Sequence, residues 1–258
     1  MFSTVRHVFK AFLVMALVWP AMSSAAISQQ QVQALQLDVW RLRANFHMYT
    51  VMAGDVRYQQ VLDRTIQDTS RTFQALASNA ESDAEQALVR DIRPLWSELE
   101  TAAGNNSIAE QGYADSYATQ DVNSFSARIS RLLREYDAAA SEPGEDLMAM
   151  AVYMQRIASE YLALAADPGG GAGGTTSEER LDFREAVPAF DQMVNDAVQR
   201  YRGDDATGRA LEDVQAKWQF IRESLVKFYE NAVPFLVHRY TQEMVSGLKS
   251  SAERQREA

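Results

Sequence analysis

The chain has 258 residues, 47% of them hydrophobic, with 25 Lys or Arg against 35 Asp or Glu and no cysteine. The net charge of −10 argues against nucleic acid or anionic lipid as the main partner, because both recruit basic patches. The missing cysteines exclude a disulfide framework, thiolate catalysis, Cys-ligated zinc and attached c-type haem.

Residues 1–26 read as a signal peptide. Arg6, His7 and Lys10 make a basic start, "AFLVMALVWPAM" (11–22) is an apolar run, and "SSAA" (23–26) supplies small residues for cleavage. The run contains Pro20 and is shorter than the ~20 residues a membrane span needs. The expectation is a cleaved leader, a periplasmic or secreted product and no membrane span in the mature chain. Losing Arg6 and Lys10 but no acidic residue takes the net charge from −10 to −12. About 230 residues then remain, enough to bury a core.

Beyond the leader, apolar residues recur at steps of three and four, the period of an amphipathic helix. The first helix carries Val32, Leu35, Val39, Leu42, Phe46 and Tyr49, and Gly54-Asp55 breaks it. The second carries Leu62, Ile66, Thr69, Phe73 and Leu76 and ends at "SNAESD" (78–83). Leu88, Ile92, Leu95 and Leu99 mark the third, which ends at "GNN" (104–106), and Ala118, Val122, Phe125, Ile129, Leu132 and Tyr136 mark the fourth.

"SEPGE" (141–145) is the strongest turn signal between long helices. After it, the fifth helix carries Met150, Met154, Ile157, Tyr161 and Leu164, followed by the glycine-rich loop "DPGGGAGGTTSEE" (167–179). Thr176 and Glu179 resemble a capping box that opens the sixth helix. That helix carries Val187, Phe190, Val194, Ala197 and Tyr201, with Pro188 as a kink. Leu211, Val214, Trp218, Ile221, Leu225 and Phe228 form the seventh, and Val237, Tyr240, Met244 and Leu248 the eighth, starting near Pro234. Pro234 is compatible with a hairpin between the last two helices or with one kinked rod.

The halves read as copies. Trp96 falls opposite Trp218, with Asp91/Asp213, Ile92/Val214 and Leu99/Ile221 in step. The first helix maps onto the fifth through Leu42/Ile157, Phe46/Tyr161 and Tyr49/Leu164. Offsets change only at loops, as in a diverged duplication. The predicted fold is all-α, with two tandem up-and-down four-helix bundles at 27–141 and 142–258.

The most chemical stretch is "WRLRANFHMYTVMAGD" (40–55). Trp40, Arg43, His47 and Val51 step by three, four and four, so they share a face beside the core stripe. A guanidinium, an indole and an imidazole on one face suit a small anion, so Trp40, Arg43 and His47 are the candidate ligand-binding residues. The same face suits packing against the other bundle or a second subunit, where Arg and Trp are common, better than it suits a ligand, because one helix face supplies only part of a pocket. On the ligand or partner reading, Arg43→Ala or Trp40→Ala weakens the association and leaves stability nearly unchanged.

Other chemistry is poorly supported. Met148, Met150 and Met154 raise copper, yet methionine commonly fills helical cores. His47 or His238 with a methionine could ligate a b-type haem. Neither histidine has Glu three positions before it, so the di-iron pattern is missing. No H-E-x-x-H, G-x-S-x-G or Walker loop occurs. No catalytic residue, metal ligand or cofactor is assigned.

"NFHMYTVMAGDVRYQQVLDRTIQDTSRTFQAL" (45–76), followed by a helix containing "LW" (95–96), resembles the helix–turn–helix rhythm of the helical sensor domains of bacterial chemoreceptors and sensor kinases. That resemblance implies an extracytoplasmic bundle that binds small anions, amino acids or organic acids between helices. The chain differs from those receptors in showing no second membrane span and no signalling module. The expectation is a freestanding, non-enzymatic periplasmic relative that binds a small anion or an envelope protein partner, with a homodimer possible. The alternatives are a haem- or copper-carrying bundle and a structural or assembly factor of an envelope or pilus machine.

Overall fold

A computed structural model describes residues 27–136, 138, 142–167 and 180–257. The expected leader (1–26) and the Thr176–Glu179 box lie outside the described residues.

The described chain is all-α, without a strand. Its helices are α1 (Gln29–Val51), α2 (Val56–Ser78), α3 (Asp83–Gly104), the single turn α4 (Ile108–Gln111), α5 (Ser116–Glu135), α6 (Glu145–Ala166), α7 (Phe183–Arg200), α8 (Asp205–Val226) and α9 (Pro234–Glu257). Among the described residues no helix is long and apolar enough to cross a membrane.

Side chains set most of the helix starts. Ser28 with Gln31 and Ser82 with Glu85 form capping boxes at α1 and α3. Asp55, Asp115, Asp182 and Asp204 accept from the first free N–H groups of α2, α5, α7 and α8. Among the described residues α7 begins at Phe183, behind Asp182, and runs on through Pro188. Glu85 does double duty. Its carboxylate also accepts from the Ile27 N–H at 2.7 Å, tying the start of α1 to α3.

Two separate cores form. Helices α1, α2, α3 and α5 enclose one, with Val39, Phe46, Leu76, Leu99 and Val122 at its centre. Helices α6 to α9 enclose the other, with Leu147, Met154, Phe190, Trp218 and Met244, and Leu37 and Trp40 of α1 and Ala127 of α5 join it. Each core seats a tryptophan against a phenylalanine of the preceding helix. Trp96 lies 6.4 Å from Phe73, and Trp218 lies 4.7 Å from Phe190. A buried side chain of this kind is worth about 1.5–3 kcal/mol in water exclusion. Helices α8 and α9 pack on each other, with Phe220 against Tyr240 and Gln255 bonded to Thr207, so they form a hairpin.

The bundles join through α1 and α6, which lie side by side and run in the same direction. Gln33 bonds the Glu145 carbonyl near their starts, and Arg43 reaches Ser159 and Glu160 further along. Ala44, Met48 and Leu162 form a small apolar cluster between them. From Val32 to Tyr49, only Ala34 and Arg41 escape full burial. A helix flanked on one side by its own bundle and on the other by a second bundle has no solvent face.

Candidate functional site

Burying α1 on all sides brings its polar residues inside. Arg43 is fully buried. A desolvated guanidinium needs acceptors and a counter-charge, and each of its three nitrogens has an acceptor here. Nη1 and Nη2 lie 3.0 and 3.1 Å from the two oxygens of Glu160, Nε donates to Asn123 Oδ1 at 2.7 Å, and Nη1 also reaches Ser159 Oγ at 3.2 Å. Of the two carboxylate contacts, Nη2 to Oε2 is a hydrogen bond and Nη1 to Oε1 is an ion-pair contact.

His47 completes this network. Its Nε2 lies 2.8 Å from the same Asn123 Oδ1 that accepts from Arg43, so Nε2 carries the hydrogen and donates. Nδ1 then has a lone pair and no hydrogen-bond partner among the described residues. Burial, reinforced by the neighbouring Arg43 charge and opposed by the bond to Asn123, lowers the imidazole pKa to about 3. His47 is therefore neutral.

A second chain of bonds crosses the opposite side of α1. Asn45 Nδ2 donates to Thr65 Oγ1 at 2.8 Å, while its Oδ1 lies 2.8 Å from His238 Nε2 on α9. Burial lowers His238 to about 4. Tyr58 from α2 lies against the same imidazole, 6.2 Å between ring centres. This flank of the α1–α6 seam is closed.

The other flank is open. Between α5 and α7 a groove of about 530 Å³ descends to α1 and α6. Its polar lining includes Gln33, Trp40, Arg134, Arg156 and Asp196, and its apolar wall includes Leu133, Val152 and Met193. Trp40 is 1% exposed, and its indole N–H has no acceptor among the described residues. The guanidinium carbons of Arg43 and Arg156 each lie 5.6 Å from the Trp40 ring centre, a cation–π spacing. Arg156 is held below its ordinary pKa by burial and by the like charge of Arg134, with Glu160 acting in the opposite sense. An anion beside these two guanidiniums would relieve that repulsion.

The three residues singled out from sequence thus separate. Trp40 lines the groove, whereas Arg43 and His47 belong to the sealed network and do not line it. Arg134 and Arg156 were not anticipated. Arg156 did leave a signal, as one of only four charged residues in an otherwise apolar α6. The methionines Met148, Met150 and Met154 are buried in the second core. Among the described residues no three His, Cys, Asp or Glu side chains gather as a metal-holding group. The chain matches no family model, no curated protein and no solved structure.

Proposed function

We propose that this chain is an exported, non-enzymatic helical protein that binds a small anionic ligand in the groove between its bundles and passes the bound state to an envelope partner. The supporting observation is the convergence of Arg134, Arg156 and Trp40 on one groove at the bundle seam. Pockets that serve small molecules have this size and this mix of apolar wall with a few polar anchors. Their place between packed units suits a sensor-like role, because a ligand touching α1, α5, α6 and α7 changes how the halves are held. The matched tryptophans and helix order of the two bundles fit descent by duplication, which would leave such a seam groove as a natural product. Residues 1–26 act in this reading as the export leader.

Thermal denaturation of the purified mature protein against single anions tests the reading. The panel is acetate, hexanoate, phenylacetate, sulfate and inorganic phosphate. At least one should raise the midpoint in a concentration-dependent way, and Arg156→Leu should abolish the rise. No shift with any of them would overturn the proposal.

A further inference from the structure

The chemistry of the groove narrows the ligand, given that the groove is the ligand site. We infer that it takes a monocarboxylate with an apolar body, in preference to a compact inorganic anion, a short-chain acid or a cation.

Charge comes first. Among the described lining residues two carry guanidinium groups, Arg134 and Arg156, and one carries a carboxylate, Asp196. Cations outnumber carboxylates in that lining, which suits a ligand with one negative charge, while a second negative charge would add repulsion from Asp196. Shape comes next. The space of about 530 Å³ far exceeds what acetate or sulfate fills, and its wall carries Leu133, Ala149, Val152 and Met193. A compact ion would leave that wall wet, whereas a hydrocarbon chain or phenyl ring gains by covering it.

The anchors set the head group. A planar carboxylate matches a guanidinium fork. Trp40, the one tryptophan lining the groove, has an indole N–H without an acceptor among the described residues, which a second carboxylate oxygen would satisfy if the ring turns it to the ligand. An ammonium head group would meet Arg134 and Arg156 and be repelled. Arg43 contributes indirectly: with its guanidinium over the Trp40 ring and its fork on Glu160, it positions the indole and does not touch the ligand.

Calorimetric titration of the mature protein with four probes tests this. Hexanoate and phenylacetate should bind at least roughly tenfold more tightly than acetate, which has the head without the body, and than hexylammonium, which has the body with the opposite charge. Arg134→Gln, at an exposed position, should weaken hexanoate roughly tenfold with the thermal midpoint unchanged. Trp40→Phe, which keeps an aromatic ring but deletes the pyrrole ring with its N–H, should weaken it further while still folding. If acetate binds as well as hexanoate, the ligand class is wrong and the groove reading survives. If hexylammonium matches hexanoate, the guanidiniums do not select charge and the inference falls. If no anion binds, both fall together.

Discussion

Arg43 on α1 and Glu160 on α6 face each other as a two-pronged ion pair with almost no solvent contact, Arg43 at 0% and Glu160 at 6% exposure. Each belongs to a different bundle, so the pair fixes the register between them. Removing one partner strands the other charge in the interior. Arg43→Ala or Glu160→Ala should therefore cost about 3–5 kcal/mol, while the double change to methionine should be near neutral. Urea denaturation of the three variants measures this. If Arg43→Ala unfolds at the wild-type midpoint, the pair is not a structural clamp.

Of the two readings the sequence offers for that side chain, a ligand contact or packing against the other bundle, the contacts of Arg43 fit the second. Unchanged stability in Arg43→Ala belongs to the ligand or partner reading, and a large loss belongs to internal packing. The partner surface is the chain's own second bundle. The same reasoning rules out Trp40→Ala as a clean test of binding, since deleting a buried indole costs about 3–5 kcal/mol by itself.

The two buried histidines give the protein an acid weakness. Folded, His47 titrates at about 3 and His238 at about 4, while both sit near 6.5 when unfolded. Below about pH 6.5 the unfolded chain takes up protons that the folded chain refuses. Stability is fully present above that value and declines as pH falls toward 4, with a slope of up to about 1.4 kcal/mol per pH unit for each histidine. Denaturation midpoints at pH 7 and pH 5 should differ clearly in the native sequence. His238→Gln should roughly halve the difference, and an unaltered difference would assign the titration to other groups.

Much of the fold was legible because two of its signals are local. Apolar stripes at steps of three and four placed every long helix, and "GD" at 54–55 and "PG" at 143–144 marked real breaks. The arrangement of the halves was not legible in that way. Helix α1 has no charged outer face, and neither does α6, while α2, α5 and α8 each do. That shared deficiency was the available sign that α1 and α6 cover each other. Read by periodicity alone, Gln36, Asn45 and His47 count as surface, since no local pattern announces a partner some eighty to two hundred residues away, as Ser130, His238 and Asn123 are. The site suffered for the same reason, because Arg134 and Arg156 meet only when α5 and α6 are set on either side of α1.

Glu85 provides a separate test of how the start of α1 is held. Its carboxylate accepts backbone N–H groups of Ser82, Glu81 and Ile27 at 2.8, 2.9 and 2.7 Å. Those bonds, that of Ser82 foremost, hold its pKa down to about 2 against the opposing effect of burial. Stability from this carboxylate is present above the unfolded value near 4.5 and lost as pH falls through it toward 2, a lower window than that of the histidines. Glu85→Gln keeps the shape but weakens the charge-assisted bonds, and should cost about 1–3 kcal/mol. Hydrogen exchange should then quicken at the first turns of α1 and α3. Protection unchanged there would mean that Ile27 is held by its apolar contacts alone.

Three glycines separate backbone strain from close packing. Gly54, Gly112 and Gly144 all adopt left-handed backbone angles, at φ +80°, +76° and +81°. A Cβ at Gly112 would meet nothing within 4 Å, whereas at Gly144 it would fall 2.7 Å from the Ala252 carbonyl oxygen and at Gly54 2.7 Å from Ala109 Cα. Gly112→Ala should pay only the left-handed penalty of about 1 kcal/mol. Gly144→Ala should add the cost of pushing α9 away from the start of α6, about 1–3 kcal/mol more, and Gly54→Ala a similar amount at the α1–α2 turn. The difference between these variants measures how tightly each bundle closes on its own turns. Equal losses at all three positions would show that backbone angle alone requires glycine there, and that the close approaches to Ala109 and Ala252 relax at no cost.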